Sequence, residues 1–308
     1  MSPASIRIAT RKSALALWQA EHVAMLLRKL GATVELLPMS TEGDRNLGAS
    51  LAASGGKGLF VKELEVALQE GRAEVAVHSM KDVPVLLAPE FVLGAVLERE
   101  DPRDAFLSVK HWGFEALPPG ARVGSSSLRR RAQLLHKRPD LVIEPLRGNV
   151  DTRLRKLQDG HYDAIVLAMA GLKRLGLSAP VTAQLDVGLS LPAVTQGIIG
   201  MECRTEDLAT RDLLKHLNHA PSWTAMLAER ALSRGLSGSC NLPLAGHARL
   251  EGAMLSLTGR VGSPDGKVLL EAAASGPTAD PESVGLNVAK ALLAQGAAEV
   301  LKDVENKV

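Results

Sequence analysis

Short apolar runs alternate along the first two thirds of the chain with longer stretches whose apolar positions return every three or four residues. That alternation is the signature of strand–helix–strand units stacked on a largely parallel sheet. Ile6–Ala9 reads as a strand, followed by a helix over Ser13–Leu30 with Leu15, Trp18, Val23, Leu26 and Leu30 on roughly one face and Gly31 as its terminator. A strand at Val34–Met39, a helix at Phe60–Glu70 closed by Gly71 and a strand at Glu74–Val77 follow.

The charged run Glu98–Arg103 breaks this pattern and reads as a crossover into a second set of units. There the spacing predicts strands at Arg122–Gly124, Leu141–Leu146 and Ala164–Ala168, and helices at Leu128–His136 and Val150–Gln158. Leu191–Val194 reads as a return linker. A third unit begins after Ala220-Pro221 with a helix over Thr224–Leu232 and a Gly/Ser-rich loop at Gly235–Ser239. A strand pair joined by Pro264-Asp265-Gly266 and a closing helix at Leu286–Val304 complete it. The expected fold class is therefore α/β, in more than one domain for 308 residues.

Composition narrows this picture. Aromatic residues make up only 3% of the chain, so its cores must be built from Leu, Val, Ile and Ala, which suits α/β layers. The two cysteines, Cys203 and Cys240, form neither a disulfide framework nor a CxxC metal pair. The first residues lack the charged and apolar regions of a secretory leader, and no apolar run reaches membrane-spanning length. A cytoplasmic protein is expected. Net charge is only +2, yet residues 121–174 hold twelve Lys and Arg against five acids, +7 for that segment and −5 for the rest. Such concentration points to a focused anion site.

In open α/β sheets, ligands bind beyond the carboxyl ends of strands, where helix starts present free N–H groups. Basic and hydroxyl residues fall there repeatedly: Arg11 and Ser13 after the first strand, Lys81 and Asp82 after the third, and Ser126, Ser127, Arg129 and Arg130 after Gly124. Arg147 with Arg153, and Lys173 with Arg174, follow the next two. Five strand ends so furnished suggest one cleft gripping a ligand with several anionic groups, since the guanidinium fork matches a carboxylate in two places.

The motifs Arg7-Ile8-Ala9-Thr10-Arg11-Lys12-Ser13, Gly55-Gly56-Lys57-Gly58-Leu59-Phe60-Val61-Lys62-Glu63-Leu64-Glu65 and His78-Ser79-Met80-Lys81-Asp82-Val83-Pro84 closely resemble the porphobilinogen deaminase family. So do Gly124–Arg130, Leu146–Val150, Ala170–Gly176 and Ser239-Cys240. The resemblance implies two periplasmic-binding-protein-like lobes plus a small α/β C-terminal domain. These would span residues 1–98 with 198–217, 103–192, and 220–308. It implies a transferase that joins four porphobilinogen molecules head to tail, releasing ammonia each time, to give hydroxymethylbilane for tetrapyrrole (haem) synthesis. Growth would start on a dipyrromethane cofactor held by a thioether to Cys240, with Cys203 a buried small residue.

By the same resemblance Arg11, Ser13, Lys81, Ser126, Ser127, Arg129, Arg130, Arg147, Arg153 and Arg174 hold the carboxylates of cofactor, chain or substrate. Lys57 and Gln196 belong to the cleft and its hinge. Asp82 matches the catalytic aspartate, expected to stabilise developing positive charge and relay protons. The sequence departs from the family pattern at Asn241 beside the cysteine and at Thr195, where glycine is usual before Gln196.

A two-lobed binding protein for a small polyanionic ligand would share the fold and cleft, but the Lys81-Asp82 pair argues against it. The near-neutral total charge and eight aromatics argue against nucleic acid. Gly55-Gly56-Lys57-Gly58 lacks the phosphate-loop spacing, Gly235–Ser239 misses the nucleophile elbow, and His216 with His219 has no third ligand, so no metal is expected. A monomer without membrane contact is expected.

Overall fold

The computed structural model describes residues 4–41, 61–177, 182–236 and 242–305. The chain divides into two compact units, residues 1–100 with 198–223, and residues 101–197 with 224–308.

The first unit is built on a five-stranded mixed sheet. Its strands are β1 (Ser5–Arg11), β2 (Thr33–Met39), β3 (Val75–Ser79), β4 (Phe91–Val96) and, much later in the chain, Ile199–Arg204. β1 is central to a parallel trio, pairing with β2 from Ser5↔Thr33 to Arg11↔Met39 and with β3 at Ile8↔Val75. The returning strand Ile199–Arg204 runs antiparallel between β3 and β4. Side-chain alternation sends Ile6 and Ile8 to one face and Ala9 to the other. Helix α1 (Ala14–Lys29) packs on the first face and helix α2 (Lys62–Gln69), through Leu64, Ala67 and Leu68, on the second.

The buried stripe of α1 is rotated from the one expected. Gln19, Ala20, Val23, Ala24 and Leu27 are buried, whereas Trp18 and Leu30 stay 38% and 44% exposed. Ala20 and Ala24 share this contact face with Val23 and Leu27, so it is set by the facing sheet and not by the largest side chains of the helix. Gly31, at φ 88, ends the helix as expected.

The second unit contains two sheets. One is five-stranded and mixed, in the order β7 (Val142–Glu144), β6 (Arg122–Gly124), β8 (Ala164–Ala168), β5 (Asp104–Leu107), β9 (Ala183–Gln184). β6, β7 and β8 are parallel, and β5 runs antiparallel to β8 and β9. Helix α3 (Leu128–Lys137) covers one face, where Phe106 meets Phe114 edge-on at 6.5 Å. Helices α4 (Val150–Gln158) and α5 (Met169–Arg174) cover the other through Leu157 and Leu172. Each fully buried Leu or Phe here contributes roughly 1.5–3 kcal/mol by leaving water.

The returning strand of the first unit is β10; helices α6 (Leu208–Lys215) and α7 (Ala220–Gly235) follow it. The third sheet is an antiparallel meander, β11 (Leu244–Glu251), β12 (Met254–Gly262) and β13 (Leu269–Pro277), backed by α7, α8 (Pro281–Ala294) and α9 (Ala297–Glu305) around Leu232, Leu257, Val288 and Leu292. The single closing helix expected over Leu286–Val304 is two helices, broken where Gly296 takes φ 95. No single helix is long and apolar enough to cross a membrane among the described residues.

The third sheet is fastened to α3. Arg131 Nε donates to the Pro264 carbonyl at 2.9 Å, and Arg260 Nη1 donates to Gln133 Oε1 at 2.9 Å. His136 Nδ1 lies 2.9 Å from the Gly266 carbonyl. At Gly266, φ is 74 and a Cβ would lie 2.5 Å from the His136 backbone nitrogen, so only glycine fits this seam.

Candidate functional site

In the first unit the candidate residues sit where β1 and β3 end. Ser13 caps α1, its hydroxyl accepting from the Ala16 N–H at 3.4 Å, and Arg11 is half-buried at the end of β1. β3 runs into a single 3-10 turn, Met80–Asp82, that presents Lys81 and Asp82, both half-buried. Met80 N–H donates to the Ile198 carbonyl at 3.0 Å and the Met80 side chain is buried. Two further pairs, unread in the sequence, secure the approach to this turn. Buried Gln19 meets the Ser79 hydroxyl at 3.0 Å, and buried His78 lies 2.9 Å from Glu202 of β10. An apolar helix face carrying one Gln was the available signal for the first.

In the second unit Ser126, Ser127, Arg129 and Arg130 cluster at the start of α3. Ser127 caps the helix, and the Ser126 hydroxyl donates to the Leu146 carbonyl at 3.0 Å. Arg147 and Gly148 follow β7, and Arg153 Nε donates to the Gly148 carbonyl at 2.7 Å. Gly148 has φ 111, and a Cβ there would stand 2.9 Å from Thr152, so the turn that presents Arg147 requires glycine. Arg174 Nη2 donates to the Gly197 carbonyl at 2.7 Å.

Arg129 and Arg130 are turned largely inward. Both are buried, 4% and 6% exposed, around Asp104, which is fully buried at the start of β5. Arg129 grips the carboxylate in two places, Nη1 to Oδ2 at 2.9 Å and Nη2 to Oδ1 at 3.2 Å. Arg130 Nη2 donates to Oδ1 at 2.8 Å. Ser190 and Gln196 complete the ring at 2.7 and 2.9 Å. Burial alone would raise the Asp104 carboxyl, but the charges and hydrogen bonds of the two arginines outweigh it and hold the group well below the usual carboxylate range. Removing one member of such a buried set costs about 3–5 kcal/mol. Two guanidiniums face one carboxylate, so the cluster carries a surplus positive charge, and the Nε–H groups of Arg129 and Arg130 are buried with no partner among the described residues. That donor set fits a further anionic group.

Gln196 also donates to the Pro102 carbonyl at 2.7 Å, tying residues 102–104 to 190–196. Beside it Thr195 has φ 62, a left-handed value rare outside glycine, while its N–H donates to buried Glu229. Glycine would take this backbone without the strain that Thr195 bears. Cys203 is buried in the first unit, and burial pushes its thiol up to about 11, as befits an inert structural cysteine. Lys57 and Cys240 lie outside the described residues.

A family model described as porphobilinogen deaminase, dipyromethane cofactor binding domain, matches residues 6–212, and a second, porphobilinogen deaminase, C-terminal domain, matches residues 223–294. The chain belongs to the porphobilinogen deaminase family. The porphobilinogen deaminases of two Acidithiobacillus ferrooxidans strains are each 56% identical over 306 residues, covering 99% of both chains. Among solved structures, a nutrient binding protein from Burkholderia cenocepacia is 14% identical with a TM-score of 0.41, covering 68% of this chain and 90% of that one. A YaeC-family lipoprotein from Enterococcus faecalis is 13% identical with a TM-score of 0.43, covering 69% and 90%. Family membership fixes the cofactor as a dipyrromethane, and the residues matched by the cofactor-binding model include every strand end described above.

Proposed function

We propose that Cys240 carries the dipyrromethane and Asp82 opposes the developing cation in the family's reaction, the head-to-tail condensation of four porphobilinogen molecules to hydroxymethylbilane with release of ammonia. The observation that carries this reading is the surplus positive charge and unpartnered N–H groups of the Arg129–Arg130–Asp104 cluster, placed in the segment matched by the cofactor-binding model. A ligand whose rings each bear an acetate and a propionate is matched by such a donor set. When bound, the cofactor supplies the pyrrole end onto which the first substrate unit is joined.

The protein's own residues then have separable tasks. Arg11, Ser13, Lys81, Ser126, Ser127, Arg129, Arg130, Arg147, Arg153 and Arg174 bind carboxylates, with Arg129 and Arg130 restricted to the N–H groups that Asp104 leaves over. Lys57 and Gln196 act at the cleft and hinge. Asp82, on a turn pinned by Met80 and Ser79, accepts from pyrrole N–H groups and stands as a fixed negative charge while the aminomethyl C–N bond of porphobilinogen breaks and ammonia departs. The protein works as a cytoplasmic monomer without nucleic acid or membrane, in keeping with its near-neutral net charge and its cysteine content of only two.

Intact-protein mass tests the central claim. The purified chain should exceed its sequence mass by two pyrrole units, and Cys240→Ser should abolish the increment. An increment that survives in Cys240→Ser would sink the assignment.

A further inference from the structure

We propose that Asp104 is a positioning residue for ligand carboxylates: by gripping Arg129 end-on, it holds the remaining edge of that guanidinium, Nε with Nη2, as a ready two-point seat. The inference rests on reading Arg129 as a carboxylate holder and asks what makes it one.

A guanidinium is planar and offers five N–H groups in a fixed fork. Two of its edges match a carboxylate, the end formed by Nη1 and Nη2 and the side formed by Nε and Nη2. In Arg129 the end edge is spent on Asp104, and the second hydrogen of Nη1 goes to the Leu191 carbonyl at 2.6 Å. Three of five donors are thereby used. Those left, Nε–H and one Nη2–H, lie together on the side edge, and Nε is buried without a partner. Arg130 is held the same way at two points, Nη2 on Asp104 and Nη1 on the Val166 carbonyl at 3.0 Å, with Nε again left over.

Asp104 cannot swing to follow them. It starts β5, pairs with Ala168 across the sheet, and its carboxylate also takes Ser190 and Gln196. Without its charge the two arginines would repel each other, and a long side chain would have to be ordered afresh each time a carboxylate arrived. With it, that ordering is done in the folded protein.

The test is a double-mutant cycle of Asp104→Asn and Arg129→Lys in the holoenzyme, read by KM and kcat for porphobilinogen, by the fraction of chains carrying the cofactor mass, and by Tm. Asp104→Asn should raise KM about tenfold, leave kcat within about threefold, and lower cofactor occupancy. The double variant should be clearly less impaired than the product of the two single effects, because Asp104 acts largely through Arg129, the remainder passing through Arg130. If Asp104→Asn lowers Tm but leaves KM and occupancy unchanged while Arg129→Lys moves them, or if the two effects multiply, Asp104 is structural only and the inference is overturned. If Arg129→Lys itself moves neither readout, the carboxylate-holding role of Arg129 falls and the inference with it. Should Asp104→Asn fail to fold, Asp104→Glu, which keeps the charge but shifts the carboxylate by one methylene, decides the matter: a raised KM supports the inference and an unchanged one overturns it.

Discussion

Replacing Gly200 with alanine should damage turnover more than stability. Gly200 lies on β10 opposite His78, and a Cβ there would stand 2.1 Å from Met80 Sδ and 2.9 Å from Met80 Cγ. Ordinary contact begins near 3.4 Å, so the shortfall is at least 1.3 Å (3.4 less 2.1). Met80 is 1% exposed and has no solvent to retreat into. It is also the first residue of the turn that presents Lys81 and Asp82. Overpacking of this kind costs about 1–3 kcal/mol, and a drop of about 2–4 °C in Tm per kcal/mol is expected for a chain of this class. If the turn moves by about 1 Å, the loss in rate can reach on the order of a hundredfold.

Gly94→Ala is the matched control. Its Cβ would lie 2.6 Å from Leu214 Cδ1, a milder crowding (3.4 less 2.6, so 0.8 Å short of ordinary contact) within the same unit but not at the turn. Steady-state turnover of porphobilinogen and thermal melts of both variants separate the two effects. The expected outcome is a kcat at least tenfold lower in Gly200→Ala than in Gly94→Ala at similar Tm. Equal kcat values would refute the reasoning, because they would mean that the flexible thioether absorbs the strain without disturbing Asp82.

Two other substitutions probe the site and its linker. Asp82→Asn should leave KM for porphobilinogen within a few-fold while cutting kcat by about two to four orders of magnitude, the usual worth of a positioned acid–base group; near-normal kcat in a stopped assay would show that the charge is not needed. Thr195→Gly removes a β-branched residue from a left-handed backbone that costs about 1–3 kcal/mol, against roughly 0.5–1 kcal/mol of added chain entropy. Calorimetry should therefore show a small rise in Tm, and a fall would mean that the Thr195 hydroxyl bond to Val194 outweighs the strain.

The elements bounded by sharp local signals were readable from the sequence: Arg122–Gly124, Val150–Gln158 and Ala164–Ala168 are found where the pattern places them. Strands β4, β5 and β10 were not, because they complete their sheets antiparallel from distant parts of the chain, and no local period announces such pairing. The break at Gly296 was visible as a glycine but was outweighed by the apolar spacing on either side. At the site, residue types and strand ends marked the candidate segments, and Asp82 sits on a tight turn at the end of β3. What the sequence withheld was how the arginines are spent. Asp104 directly follows the charged run Glu98–Arg103 and carries no mark of its own, yet it opens a buried strand, and burial is what draws Arg129 and Arg130 inward to meet it. Gln19 and Gln133 were hidden likewise, each a polar residue in an otherwise buried stripe whose partner is far along the chain.

The two connections of the C-terminal meander differ in a way that matters for anyone adding material to this protein. The β11–β12 bend at Gly252 has open space around it, with nothing within 4 Å of an added Cβ. The β12–β13 bend at 263–268 looks equally superficial along the chain, but its backbone is stitched to α3 by Arg131 and His136. A peptide tag, fluorophore or new chain terminus belongs at the former; at the latter it would prise the meander off the helix whose first turn bears Arg129 and Arg130.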